Sequence, residues 1–71
     1  MGAFTWDAVP GAVWYDVWVQ KDGVVIHHGW QQVVGWSPAE WTPGSYRWAV
    51  RAWQPNGGAG AWSEVIEVEL E

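Results

Sequence analysis

The segment that decides the fold alternates between two kinds of position. It reads Tyr46-Arg47-Trp48-Ala49-Val50-Arg51-Ala52-Trp53. Neighbouring side chains of a strand point to opposite sides. One face therefore carries Tyr46, Trp48, Val50 and Ala52, and the other carries Arg47, Ala49, Arg51 and Trp53. This period of two predicts a β-strand with one face toward a core.

The same alternation recurs on both sides of this segment. Residues 13–20 place apolar side chains at every odd position, and residues 66–70 alternate apolar side chains with Glu. Turn signals separate these runs at Pro10-Gly11, Asp22-Gly23 and Pro43-Gly44. Asp22-Gly23 predicts a hairpin, because such turns need a residue that accepts positive φ. Short strands with turns between them indicate an all-β sandwich or barrel.

Length and composition narrow the class further. The 71 residues include nine Trp and no Cys, with a net charge of −5. This length predicts one domain, residues 1–71, whose small core has no disulfide to support it. With three cations the chain is a poor nucleic-acid binder, so no nucleic-acid partner is expected. No apolar run approaches the ~18–20 residues of a membrane span, so no membrane role is expected either.

Several motifs, taken together, resemble the fibronectin type III family. Trp41-Thr42-Pro43-Gly44 precedes the alternating strand, and Asn56-Gly57, Gly60 and Trp62-Ser63 follow it. Phe4-Thr5-Trp6-Asp7 and the run from Tyr15 to Val19 fit earlier strands of the family. The resemblance covers roughly residues 3–70 and is closest to the Trp-rich bacterial modules.

The resemblance implies a small immunoglobulin-like β-sandwich of about six strands. These are residues 3–7 (strand B), 12–20 (C), 24–31 (C′), 32–37 (E), 45–54 (F) and 61–70 (G). Strand A is expected to be missing, because almost no sequence precedes Phe4. The Met1 directly before this patterned start favours an excised or engineered chain. The resemblance also implies an extracellular or cell-surface location, and a Tyr46 hydroxyl bonded to backbone.

Strand parity divides the apolar side chains between two faces. The expected core residues are Phe4, Trp6, Tyr15, Val17, Val19, Trp36, Tyr46, Trp48, Val50, Trp62, Ile66 and Val68. Trp41 is also expected to fill the core. The parity of residues 24–31 is ambiguous, so the direction of Trp30 stays open.

The opposite face of strands C and F is the candidate contact face. Its residues are Trp14, Asp16, Trp18, Arg47, Arg51 and Trp53. Glu67 and Glu69 are expected beside Arg47 and Arg51. A solvated face with weak ion pairs explains these charges, but it leaves three outward Trp unexplained. A contiguous aromatic group is typical of a contact surface.

The sequence offers no recognisable catalytic arrangement. His27 and His28 are neighbours on a strand, so they point to opposite faces and cannot easily share a metal. Ser37 and Ser45 lack His and acid partners at familiar spacing. We therefore expect that the chain is not an enzyme and binds no metal or cofactor.

Two functions remain for the contact face. The first is a structural protein-binding module that self-assembles with another copy or packs on an adjacent module. It would use its exposed Trp and an incomplete sheet edge, because an unpaired edge invites a further strand. The alternative is a carbohydrate-binding accessory module, whose glycan partner stacks on Trp14, Trp18 and Trp53.

Overall fold

The computed structural model describes residues 2–71, and its regular structure is entirely β. The five strands are β1 (Trp14–Lys21), β2 (Val24–Gln31), β3 (Gly44–Gln54), β4 (Gly58–Ala59) and β5 (Ile66–Leu70). They form one antiparallel sheet in the order β2-β1-β3, and both β4 and β5 pair with β3. The prediction of an all-β fold is confirmed, in the form of an open, curled sheet.

The hairpin between β1 and β2 forms where the sequence predicts it. Asp22 and Gly23 both have positive φ, at 49° and 84°. A two-residue turn of this kind matches the right-handed twist of the strands that it joins. The pairing then shifts by one residue between Val19 and Gln20, so that Ile26 is an extra residue of β2. This bulge affects which face of the sheet Trp30 occupies.

The strands predicted over residues 3–7 and 32–37 are reduced to one bridge. Phe4 and Trp36 exchange two backbone hydrogen bonds, of 2.8 and 2.9 Å. Beyond that pair the ladder ends, because Gly35 takes a φ of 115° that a strand does not use. The Gln31 side chain donates to the carbonyls of Val33 and Gly35 and so satisfies groups that a strand partner would otherwise bond. The layer over the sheet is thus formed by two irregular segments.

The core lies between the sheet and those two segments. Phe4 stands at its centre, stacked on Trp48 with 5.2 Å between ring centroids and meeting the edge of Trp41 at 5.1 Å. The buried apolar cluster consists of Phe4, Tyr15, Val17, Val19, Tyr46 and Trp48. The partly buried side chains packed against it include Trp6, Trp36, Trp41, Val50 and Val68. Aromatic rings let this short chain bury a large area per residue.

The expected backbone bond of Tyr46 is present. Its hydroxyl donates to the Thr42 carbonyl at 2.6 Å and accepts from the Thr42 amide at 3.3 Å. Tyr46 is almost fully buried, so this bond anchors the turn that precedes β3 to the core.

The prediction that Trp62 and Ile66 lie in the core is wrong. Strand β5 begins only at Ile66, because residues 61–65 follow β3 through Ser63 alone, which bonds both the amide and the carbonyl of Val50. Trp62 is 41% exposed, since strand parity does not hold in an irregular segment. Ile66 is 45% exposed although it stands opposite Trp48, because it lies at the end of an edge strand.

Candidate functional site

The six predicted contact residues all lie on one face of the sheet, which we call the outer face. Trp14 stands opposite Trp53, and Asp16 stands opposite Arg51. The neighbouring strand β2 adds two residues that the prediction lacked. Trp30 stands opposite Asp16, and His28 stands opposite Trp18.

Asp16 lies at the centre of the outer face and is buried rather than solvated. It is 2% exposed. Arg51 Nε donates to its Oδ2 at 2.9 Å, and His28 Nε2 lies 3.3 Å from its Oδ1. A buried carboxylate is tolerated when it is paired and hydrogen-bonded in this way. The expectation of Glu69 beside Arg51 is wrong, because Glu69 stands opposite Ser45 and Arg51 turns to Asp16.

Arg47 has a different environment from Arg51. It stands opposite Glu67, as the sequence predicts, and its guanidinium lies 3.5 Å from that carboxylate. Both side chains are about half exposed. An ion pair of this kind contributes only about 0–1 kcal/mol to stability. Arg47 and Glu67 therefore form a solvated border of the outer face.

Two tryptophans make cation–π contacts with the guanidinium of Arg51. The Arg51 carbon Cζ lies 5.3 Å from the ring centroid of Trp30 and 4.7 Å from that of Trp62. Cation–π contacts at such distances are worth about 0.5–2 kcal/mol each, more where water is excluded. The Trp62 ring also lies 6.0 Å from the ring of His28. Arg51 is consequently held by the carboxylate of Asp16 and by contacts with two indole rings.

The five tryptophans of the outer face line two separate grooves. Trp14, Trp30 and Trp53 line a groove of about 490 Å³ at one end of the sheet. The second groove, of about 320 Å³, is lined by Trp18, Ala49, Trp62, Ser63 and Val65. The carbohydrate alternative places Trp14, Trp18 and Trp53 in one site. Trp18, however, lines a different groove from Trp14 and Trp53.

The two histidines lie on opposite faces, as their adjacency predicts. His27 stacks on Trp36 with 4.6 Å between ring centroids, whereas His28 contacts Asp16. Burial lowers the pKa of His27 below its usual value of 6.5, the charge of His28 lowers it further, and Asp16 acts in the opposite direction. Within residues 2–71, no three acidic or histidine side chains come together as a metal site would require.

Sequence reasoning missed three members of the site because long-range structure sets their positions. The positions of Trp30, His28 and Trp62 depend on the pairing register of β2 and on the path of residues 61–65. The Asp22-Gly23 turn is the only local signal of that register, and it leaves the bulge out.

None of the residues from 2 to 71 belongs to a helix of the length and apolarity that crossing a membrane requires. Comparison with protein-family models, curated proteins and solved structures finds no match for the chain. Its distinguishing feature is the outer face itself, with five tryptophans around a buried carboxylate.

Proposed function

We propose that the chain is a non-catalytic structural and protein-binding module that uses its outer face as a contact surface. Its partner is another copy of the chain or an adjacent module. The observation that carries the proposal is the exposure of large aromatic side chains on a single face: Trp14, Trp30 and Trp62 are 40%, 46% and 41% exposed. Contiguous exposed aromatic surface is typical of an interaction site.

The side chains of this face are also well suited to binding. Trp and Arg are the residue types that most often dominate interface energetics. Arg51 is held in place by Asp16 and two indole rings before any partner arrives. Side chains that are already ordered lose little conformational entropy on association, so more of the contact energy is retained as affinity.

The proposal includes a fibronectin III-like, immunoglobulin-like β-sandwich of reduced form. Three observations support it. The strand order β2-β1-β3-β5 corresponds to the family's C′-C-F-G sheet. The Phe4–Trp36 bridge lies where strands B and E of the second sheet are expected. The Tyr46 hydroxyl bonds backbone four residues upstream, at Thr42. An extracellular or cell-surface location accompanies this family assignment as part of the proposal.

Sedimentation velocity over a concentration series tests the contact surface. We expect the wild-type chain to associate, and the double variant Trp14→Ser/Trp62→Ser to associate at least ~30-fold more weakly, because loss of interface anchors costs about 2 kcal/mol or more. The matched control is Val33→Ser, which removes an apolar side chain that is 68% exposed and lies off the sheet.

Circular dichroism spectra of each variant establish that it is folded before its association is compared. A wild-type chain that remains a monomer up to about 1 mM, the concentration at which even weak contacts of ~4 kcal/mol appear, contradicts the proposal. Equal association of the double variant and the wild type also contradicts it.

A second candidate function is the binding of a carbohydrate chain. The observation in its favour is the groove of about 490 Å³ lined by Trp14, Trp30 and Trp53. Indole faces in a concave site can stack on the C–H faces of sugar rings, and binding pockets typically have volumes of ~300–1,000 Å³. The site thus differs from the predicted set by having Trp30 in place of Trp18.

Titration of soluble polysaccharides against Trp fluorescence tests this candidate. Trp30→Ala should weaken binding about 2–10-fold, if one aromatic stack contributes ~0.5–1.5 kcal/mol. Trp18→Ala, which alters the other groove, is the matched control and should bind as the wild type does. Absence of any fluorescence change, or equal losses in the two variants, argues against a carbohydrate site in this groove.

A further inference from the structure

We infer that strand β2 pairs edge to edge with β2 of a second copy, so that two sheets join into one. This inference rests on the proposed self-association and names a surface for it that is separate from the outer face. Strand β2 stands at the end of the sheet and, within the described residues, pairs with β1 alone. Alternate N–H and C=O groups along its other side therefore face away from the sheet.

The β2 edge lacks the charged residues and prolines that normally prevent strand addition. Its eight residues, Val24–Gln31, include no Lys, Arg, Asp, Glu or Pro. Val24, Val25 and Ile26 are 64%, 50% and 43% exposed. A long, uncharged edge with exposed β-branched side chains favours pairing with another strand. The bulge at Ile26 twists this end of the strand, and the register with β1 is regular from His27 to Gln31.

The opposite edge of the sheet shows the contrast. Strand β5 carries Glu67 and Glu69 in alternation with apolar residues, and Glu71 follows it. Two such edges would bring like charges together, which destabilises a strand pair. The chain thus has one edge that repels its own copy and one that does not.

Charge distribution selects β2 as the edge at which a second copy can pair. Each chain has a net charge of −5, so two copies repel each other overall. In a joined sheet with the order β5-β3-β1-β2-β2′-β1′-β3′-β5′, the two acidic edges lie seven strand spacings apart, roughly 33 Å. That separation is several times the ~8 Å screening length at physiological salt. Among edge-to-edge contacts, pairing through β2 therefore produces the least electrostatic repulsion between two copies.

Symmetry limits assembly through this edge to a dimer. A two-fold axis at the contact makes the two β2 strands antiparallel and uses the same edge of both chains. The edge that remains on each sheet is formed by β5, whose Glu side chains oppose further strand addition, and by β4, which has only two residues. The joined sheet therefore has no long neutral edge from which a fibre could grow.

Amide hydrogen exchange at low and high protein concentration tests this pairing. We expect alternate amides within Val24–Gln31 to become protected at high concentration, while the amides of β5 do not change. Sedimentation should show a monomer–dimer equilibrium. Val25→Glu should weaken the dimer at least ~10-fold, because it places a charge on an edge strand that otherwise has none, and edge charges oppose strand addition. Val9→Glu is the matched control, since it makes the same change in net charge at a 39% exposed valine away from β2.

The outcomes separate this inference from the proposed function. Edge pairing is supported if the β2 amides become protected and the dimer is lost in Val25→Glu but not in Val9→Glu. Association that survives Val25→Glu but is lost in Trp14→Ser/Trp62→Ser overturns edge pairing and leaves the outer face as the contact. Association that survives the Trp variant but not Val25→Glu overturns the outer face and keeps the edge. Equal losses in Val25→Glu and Val9→Glu, or no protection of β2, also overturn edge pairing.

Discussion

Replacement of Arg51 by Met is the sharpest test of how the outer face is held. Met is unbranched and apolar, so it fills much of the space of the Arg stem but removes the guanidinium. Asp16, whose side chain is 3% exposed in the wild-type chain, then keeps only His28, at 3.3 Å. The variant also removes the cation–π contacts with Trp30 and Trp62.

The magnitude follows from the burial of the pair. Removing one partner of a fully buried ion pair costs about 3–5 kcal/mol. The Arg51 side chain is 30% exposed, so we discount this to about 2–3 kcal/mol. A domain of this size has a total stability of roughly 4–11 kcal/mol, and each kcal/mol shifts its Tm by about 4–8 °C. We therefore expect Arg51→Met to lower the Tm by roughly 8–24 °C.

Urea denaturation followed by Trp fluorescence measures this loss, with thermal circular dichroism as a second readout. Asp16→Asn should cost about 1 kcal/mol, because the amide oxygen still accepts from Arg51 and no buried charge remains. Asp16→Asn/Arg51→Met should recover part of the Arg51→Met loss for the same reason. A loss below about 1 kcal/mol in Arg51→Met, or no recovery in the double variant, refutes the view of Asp16 as a buried charge that needs Arg51.

Three further predictions concern the turns and the inner face. Gly23→Ala should lower the free energy of unfolding by about 1–2 kcal/mol, because Gly23 has a φ of 84°. The control is Gly29→Ala, whose added Cβ would have no atom within 4 Å. In urea titrations this control should cost less than about 0.5 kcal/mol, the size of a neutral surface change. Tyr46→Phe should cost about 1–3 kcal/mol in the same assay, because it leaves the Thr42 carbonyl without its donor. Because the pKa of His27 is lowered in the folded chain, the unfolded chain binds a proton at this residue more readily. The free energy of unfolding is therefore unaffected by His27 titration above pH 6.5 and decreases as the pH falls below that value. Urea titrations at pH 7 and pH 5 should therefore show a smaller loss of stability in His27→Phe than in the wild type. An equal or greater loss contradicts a lowered pKa at His27.

Much of the sheet could be read from the chain because its pattern is local. The alternation of residues 46–53, the odd-numbered apolar positions of β1 and the Asp22-Gly23 turn each predict their own element without long-range information. The buried set from Tyr15 to Trp48 follows from that alternation and is confirmed. Parity holds in these strands because a regular ladder keeps every side chain on its assigned face.

The sequence-based prediction failed for the segments that lie outside the regular strand pairing. Residues 3–7 and 32–37 have apolar side chains at suitable positions, but they meet only through Phe4 and Trp36. Trp62 was placed in the core by counting along a strand that does not begin until Ile66. Its true position, against Arg51, depends on the path of an irregular segment for which the sequence carries no periodic signal.

The sequence alone determined that the chain makes an antiparallel sheet, and that Trp14, Trp18 and Trp53 point away from the core. Tertiary structure decided what surrounds them. A single bulge near Val19 shifts β2 by one residue and sets Trp30 opposite Asp16. Without it, Trp30 would stand opposite Tyr15 and point into the core. Side chains alternate with a period of two, so a one-residue shift moves a tryptophan from the interior to the outer face.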